Sequence, residues 1–473
     1  MEKKLLANIE SVLRACEIRD GMTLSFHHHL RDGDQVLNMV MQRVTELGIQ
    51  NLHIAASSIF PVHQPLVDCI RKGVVSRLSA PYIAGPVAQA ISQGKLDVQV
   101  VMQTHGGRAH AISQGRLPID IAFVGAPTSD NKGNCNGIQG KSAFGVMGYP
   151  RVDVQHAKKV VVITDNLVRY PACPAEITQE QVDFVVKVAS IGNPQGIVSG
   201  STRAATDPMA LQIAQDAVNV IRASGLLKEG FSFQTGAGGI SLASSGLLAG
   251  LMQRDGIRGS FASGGITGFL VDMLNDNLFE TLLDVQCFDL RAVQSYGQNS
   301  RHQGMSAAQY ASPGSRGSVV DDLDVVMLGA AEVDLNFNVN VTTGSDGRIL
   351  GGSGGHADTA AGAKLAIVTT RVNAGGFAKI VDQVNTVTTP GRTVDVVVTD
   401  HGIAVNPQRH DLSSQLADFG LPIRDVRTLR EIALAASSKQ QVLAHDEAKL
   451  VAVVENRDGS ILDVVRAVSE PLG

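Results

Sequence analysis

No run in this chain of 473 residues approaches the span of about 20 apolar positions that a membrane-crossing helix requires. The opening stretch, MEKKLLANIESVLRACEIRDG, reads as an amphipathic helix broken by Asn, Glu and Arg, without the continuous apolar segment of a signal peptide. Basic tracts are missing too: 40 Lys and Arg stand against 45 Asp and Glu, for a net charge of −5. That balance argues against nucleic acid or an acidic membrane as a partner. Cysteine is sparse: Cys16, Cys69, Cys135, Cys173 and Cys287 are scattered, odd in number and never spaced as CxxC. Such usage excludes a disulfide framework and offers no zinc spacing, so no metal is expected. Together these absences predict a soluble, cytoplasmic protein.

What is present is an ordinary globular composition, 44% hydrophobic and 18% charged, in a chain long enough for two or three domains. Strands are expected at 22–26, 51–56, 98–102, 120–124 and 160–164, with helices at 34–47, 85–93 and 207–224. In the last, Asp207 suits the N-cap and Pro208 the first helical position. Near-continuous apolar strands separated by helices predict a parallel sheet covered on both faces. The pattern then restarts, with strands at 231–234, 324–328, 364–370, 394–399 and 450–454 and helices at about 240–254 and 427–437.

The restart is a repeat. PIDIAFVGAPTSDNKGNCN at 118–136 matches LDVVMLGAAEVDLNFNVN at 323–340 with an offset of 204 (324 − 120). Asp120, Gly125, Ala126, Asp130, Asn134 and Asn136 fall on Asp324, Gly329, Ala330, Asp334, Asn338 and Asn340. KKVVVITD at 158–165 likewise matches AKLAIVTT at 363–370. The expectation is two similar open parallel-sheet α/β domains, residues 1–224 and 225–473, with a ligand between them at the carboxyl ends of the strands.

Six motifs carry candidate chemistry. In QTGAGG (234–239), Gly236, Gly238 and Gly239 lie where a strand gives way to a helix. There converging N–H groups suit an anion or a developing oxyanion, although a packing turn fits the residues equally well. It is neither GxGxxG nor a Walker sequence, so nicotinamide and P-loop nucleotides lose ground. GGSGGHAD (351–358) offers Gly351, Gly352, Ser353, Gly354, Gly355 and His356 as a loop able to close over a narrow ligand, or as a plain exposed turn. SFHHHLRDGD (25–34) presents His27, His28, His29 and Arg31 at a strand end; a carboxylate fits that donor set better than a metal does. THGGR (104–108) and GSTRAAT (200–206) supply Arg108 and Arg203, each either a carboxylate fork or a surface arginine. AAEVD (330–334) sets Glu332 just past a buried strand, where the first copy has Thr128, so this is either a site carboxylate or a structural one.

In order, DGMTLSFHHHLRDGD, THGGR, NGIQGKSAFG, FSFQTGAGGISLA, GGITG, LLDVQCFD, AAEVDLNFNVNVTTGSDG, GGSGGHADTAAGAKL and VTDHGIAVNP resemble the alpha subunit of citrate lyase over nearly the whole chain. More distantly, both halves resemble the CoA-transferase superfamily, which implies α/β domains of that type. The resemblance implies a citrate CoA-transferase that replaces acetyl by citryl on the CoA-like prosthetic group of an acyl carrier protein and releases acetate. No permanently bound cofactor is implied, and acetyl-CoA would serve as surrogate. Implied partners are the beta (citryl thioester lyase) and gamma (acyl carrier) subunits, within a complex in which this chain is a homo-oligomer. Many superfamily members use a glutamate nucleophile where this chain has residues 263–265 of SGGITG, and no carboxylate stands there. On this reading Gly236, Gly238 and Gly239 form an oxyanion or carboxylate nest and Glu332 orients the thiol or a water. His27, His28, His29, Arg31, Arg108 and Arg203 hold citrate, and Gly351–Gly355 with His356 contact the pantetheine arm. A citramalate-specific sister enzyme fits the same motifs. A CoA-transferase or acyl-CoA hydrolase of other acid specificity fits them except at 263–265. A sensor would want a basic recognition helix, and a dehydrogenase a dinucleotide fingerprint; neither is present.

Overall fold

The structure, a computed structural model, describes residues 3–198, 204–236, 238–443 and 448–468. Several of its central strands are apolar at nearly every position, so neither of their faces can be left in water. KVVVIT at Lys159–Thr164 is buried at all but its first residue.

Among the described residues, ten strands form the first sheet. Their order is Leu5–Leu6, Phe184–Lys187, Lys159–Thr164, Ile121–Ala126, Thr23–Phe26, Leu52–Ala56, Val75–Ser79, Gln99–Met102, Leu450–Glu455 and Ile461–Arg466. Eight form the second: His302–Gly304, Phe279–Cys287, Gly259–Ile266, Ser232–Thr235, Val325–Gly329, Leu365–Thr369, Val396–Thr399 and Gly402–Val405. Neighbours run parallel except in one terminal hairpin per sheet.

From Phe184–Lys187 to Gln99–Met102 in the first sheet, and from Val396–Thr399 to His302–Gly304 in the second, the strands follow one wiring, and the repeat explains it bond by bond. Asp120 accepts from the Thr23 N–H at 2.8 Å and Asp324 from the Ser232 N–H at 2.9 Å, tying strands Thr23–Phe26 and Ser232–Thr235 each to its neighbour. Lys158 and Lys364 donate to the other oxygen of each carboxylate at 2.7 Å. Asp130 gathers the N–H groups of Lys132, Gly133 and Asn134 into a turn, as Asp334 gathers those of Asn336 and Asn338. Thr128 pairs with Asn136 and Glu332 with Asn340 in matching small antiparallel ladders.

Three placements differ from expectation. The N-terminal helix is confined to Ile9–Ala15, because Leu5–Leu6 pairs as an edge strand with Val185 and Val186. Helix Pro208–Ala223 forms with its Asp207 cap on the Ala210 N–H, but it packs on helix Gly239–Asp255 and on two strands of the second sheet. It therefore belongs with the second half, although the sequence division at 225 assigned it to the first. The hairpin Leu450–Glu455 and Ile461–Arg466 crosses back to extend the first sheet beside Gln99–Met102. No described helix is long and apolar enough to cross a membrane.

Candidate active site at the seam

Strand Thr23–Phe26 runs out into the histidine triplet at the edge where the halves meet. His28 is fixed there by Ser57, whose Oγ accepts from the His28 N–H at 3.1 Å and lies 2.6 Å from Nδ1. Its ring packs at a tilt against Tyr149 (4.8 Å between centroids), as does that of His105 (4.7 Å), while His29 stacks on Phe144 at 4.6 Å. His105 begins helix His105–Ser113, which Thr104 caps through the Gly107 N–H.

Burial pushes the His28 and His29 imidazoles far down and that of His105 down to about 3, so all three are neutral at physiological pH. They serve as hydrogen-bonding groups, not as cations. His29 Nε2 and His105 Nδ1 are buried without a hydrogen-bond partner among the described residues.

The positive charge comes from Arg31. Its guanidinium lies between the rings of Phe60 (5.5 Å) and Phe288 (4.9 Å), one from each half, and its Nη1 donates only a long 3.4 Å bond to the Ile197 carbonyl. No described carboxylate pairs with it, and desolvation lowers its pKa. A desolvated cation beside aromatic faces has the chemistry to receive a carboxylate.

The second half supplies the rest of the seam. The Gly354 carbonyl accepts from the His105 N–H at 2.8 Å, while the Gly354 N–H donates to the Pro81 carbonyl. A Cβ at Gly352 would overlap the Pro81 carbonyl, so the missing side chain there lets this loop press against the first half, while one at Gly355 would overlap the Tyr310 hydroxyl within the second. Tyr310 accepts from Gln234 at 2.8 Å, which links this loop to QTGAGG. Gly238 caps helix Gly239–Asp255 without a side-chain bond, and among the described residues a Cβ there would meet nothing within 4 Å, so no described side chain closes this helix N-terminus. Asp358, fully buried, accepts from Thr104 Oγ1 (2.7 Å) and the Gly106 N–H (2.9 Å), joining GGSGGHAD to THGGR.

Several expected residues are engaged elsewhere. Arg108 forms a two-pronged bond with Asp153 at 2.9 and 2.7 Å, and His27 Nε2 lies 3.0 Å from the same carboxylate. Burial raises the Asp153 pKa, but Arg108 and His27 outweigh it and hold the group well below the usual carboxylate range. Neither Arg108 nor His27 is free for citrate. Glu332 is also a scaffold residue: it is fully buried and accepts from Asn340 (2.9 Å), the Asn385 N–H (3.1 Å) and Gln441 (3.1 Å). His356 is tied to Thr389 and the Gly329 carbonyl, and burial lowers it to about 4. Gly351 and Ser353 are likewise buried in the interface loop, and Gly352 is half-buried. Arg203 lies outside the described residues.

Other participants escaped the sequence reading. Phe60, Tyr149 and Tyr310 stand in none of the quoted motifs, and Gln286 and Phe288, although inside LLDVQCFD, carry no assigned role there; proximity after folding brings them to the seam. Asp284, Cys287 and His302 come together, buried, with ligand atoms within 4.8 Å of one another, and Cys287 and His302 both bond to Asp284. At 263–265, Ser263 donates to Gln234 at 3.0 Å, and a Cβ on Gly265 would overlap the Phe288 ring.

Known proteins agree with this geometry. Residues 2–468 match the family described as citrate lyase, alpha subunit. The citrate lyase alpha chain of Klebsiella pneumoniae is 46% identical over 467 residues, which is 99% of this chain and 92% of that one. A solved alpha subunit of citrate lyase from Streptococcus mutans, in complex with citrate, has a TM-score of 0.97 at 46% identity, over 99% of this chain and 92% of that chain. At 17% identity, 4-hydroxybutyrate CoA-transferase from Porphyromonas gingivalis shares the fold, with a TM-score of 0.57 over 91% of this chain and 97% of its own. The chain belongs to the citrate lyase alpha-subunit family, the CoA-transferase-like component of that enzyme.

Proposed function

We propose that citrate binds at the seam with one carboxylate on Arg31, and that the chain exchanges acetyl for citryl there on a CoA-like thiol. The observation that carries this reading is the desolvated guanidinium of Arg31, flanked by an aromatic ring from each half and lacking a carboxylate partner among the described residues. The citrate complex of the Streptococcus mutans relative supports the choice of acid.

A second citrate carboxylate attacks the acetyl thioester carbonyl. The C–S bond breaks, the thiolate leaves, and a mixed citryl–acetyl anhydride remains. The thiolate then attacks the citryl carbonyl, and acetate departs with the bridging oxygen. Citrate is already ionised and the thiolate is both leaving group and nucleophile, so no net proton moves. Neutral histidines suit that chemistry, since they polarise and position without having to accept a proton. The N-terminus of helix Gly239–Asp255 provides N–H groups for a developing oxyanion or the arm's phosphate. Seam residues keep water from the anhydride. The physiological thiol is the prosthetic group of the gamma subunit, and the citryl thioester passes to the beta subunit. No enzyme carboxylate takes part: the strand end at 263–265 has none, and Phe288 fills the space beside Gly265.

The test is to incubate the purified chain with acetyl-CoA and either citrate or citramalate, then weigh the products. Citryl-CoA with equimolar acetate is expected. Free CoA without citryl-CoA would reject the transferase reading in favour of hydrolysis.

A further inference from the structure

Arg31 has an unusual backbone for its type, with φ at +51°, in the left-handed region where side chains other than Gly, Asn or Asp are seldom held. Its orientation therefore depends on whatever fixes the turn before it. That turn closes when the Arg31 N–H donates to the His28 carbonyl at 2.8 Å. The second lone pair of the same carbonyl accepts from Gln286 Nε2 at 3.1 Å, a bond that crosses from the second half.

Gln286 reaches across because of a bulge. Strand Phe279–Cys287 stays in register with its neighbour up to Gly264 opposite Asp284, then jumps so that Gly265 faces Gln286. Bulges re-aim side chains and gather beside active sites. Here Asp284 closes the bulge. One oxygen accepts from the Gln286 N–H at 2.7 Å, and the other takes Cys287 Sγ (3.0 Å) and His302 Nε2 (3.1 Å). Two residues on, Phe288 lays its ring against the Arg31 guanidinium.

We infer that Gln286 and Phe288 are positioning residues for citrate: the bulged strand end of the second half holds the 28–31 turn and aims Arg31 of the first. The inference rests on the reading of Arg31 as the citrate cation. Gln286 is buried and touches no reacting atom; it acts through Arg31.

The test measures the kinetics of the full chain with acetyl-CoA and varied citrate for Gln286→Leu, Phe288→Leu, Arg31→Ala and the double variant Gln286→Leu/Arg31→Ala. Losing the amide donor is expected to raise the citrate KM about tenfold, and losing the ring face severalfold, while the acetyl-CoA KM and the thermal midpoint stay near wild type. In the Arg31→Ala background the Gln286→Leu effect should vanish, because the residue it orients is gone; a purely structural role would persist there. A citrate KM within twofold of wild type for both Gln286→Leu and Phe288→Leu, with Arg31→Ala raised, overturns the inference alone. An unchanged KM for Arg31→Ala overturns the citrate reading as well. If Gln286→Leu does not fold, Phe288→Leu alone and with Arg31→Ala carries the same comparison.

Discussion

Replacing Arg31 by Ala removes a seam cation that has no carboxylate partner among the described residues, and its effect can be worked from the surroundings. A guanidinium gives a carboxylate two parallel N–H bonds, each charge-assisted and worth about 1.5–3 kcal/mol. Water cannot readily stand in, because the Phe60 and Phe288 rings lie 5.5 and 4.9 Å from the group and desolvate it. A loss of about 3–4 kcal/mol corresponds to a citrate KM raised between about a hundredfold and a thousandfold. If Arg31 grips a carboxylate that does not react, ground state and transition state lose it equally, so the change falls on KM with kcat nearly intact. Arg31→Lys keeps the charge but loses the fork and the ring contact, and should sit near a tenfold increase. The assay is initial-rate release of acetate at fixed acetyl-CoA and varied citrate, with the acetyl-CoA KM as internal control. A citrate KM within twofold of wild type for Arg31→Ala would refute the reasoning, whatever happened to kcat.

Glu332→Ala should strip an acceptor from Asn340, the Asn385 N–H and Gln441, at about 2–4 kcal/mol for buried donors left unpaired. Urea unfolding would show that loss, while the folded fraction keeps wild-type KM values; a selective loss of kcat would return Glu332 to the active site. Burial pushes the Asp358 carboxyl up to about 6 from its ordinary 3.8, against the opposing pull of the Gly106 N–H, Thr104 and Arg457. The folded chain then holds that proton more tightly than the unfolded chain, so this stabilisation is complete below about pH 4 and lost as pH rises through 6, a swing of about 3 kcal/mol. Asp358→Asn should flatten the dependence of the urea midpoint between pH 4.5 and 7; parallel slopes for variant and wild type would contradict the assignment.

Much of the fold was legible because each half repeats a strongly patterned unit. Strands such as Lys159–Thr164 are apolar at almost every position, and the Asp120/Asp324 and Asp130/Asp334 pairs mark equivalent turns. Strands Val75–Ser79 and Gly259–Ile266 were less visible: the first exposes Arg77, and the second carries three glycines. No local signal sends Leu450–Glu455 back to the first sheet, since its partner there lies some 350 residues earlier. The site was half legible for the same reason. Arg31 and the QTGAGG turn stand in motifs and at strand ends. Whether an arginine is free, however, depends on distant residues: Asp153 occupies Arg108 from 45 positions away, and Gln441 helps saturate Glu332 from 109 away. Gln286 and Phe288 matter only because a bulge turns them across the seam.

The most direct measurement follows oxygen through one turnover. Citrate labelled with ¹⁸O in its carboxylates is mixed with excess enzyme and acetyl-CoA, and the acetate from the first turnover is weighed. Direct attack by citrate predicts one labelled oxygen in that acetate and none left on the protein. Unlabelled acetate, with the label carried instead by an enzyme carboxylate, would contradict the account.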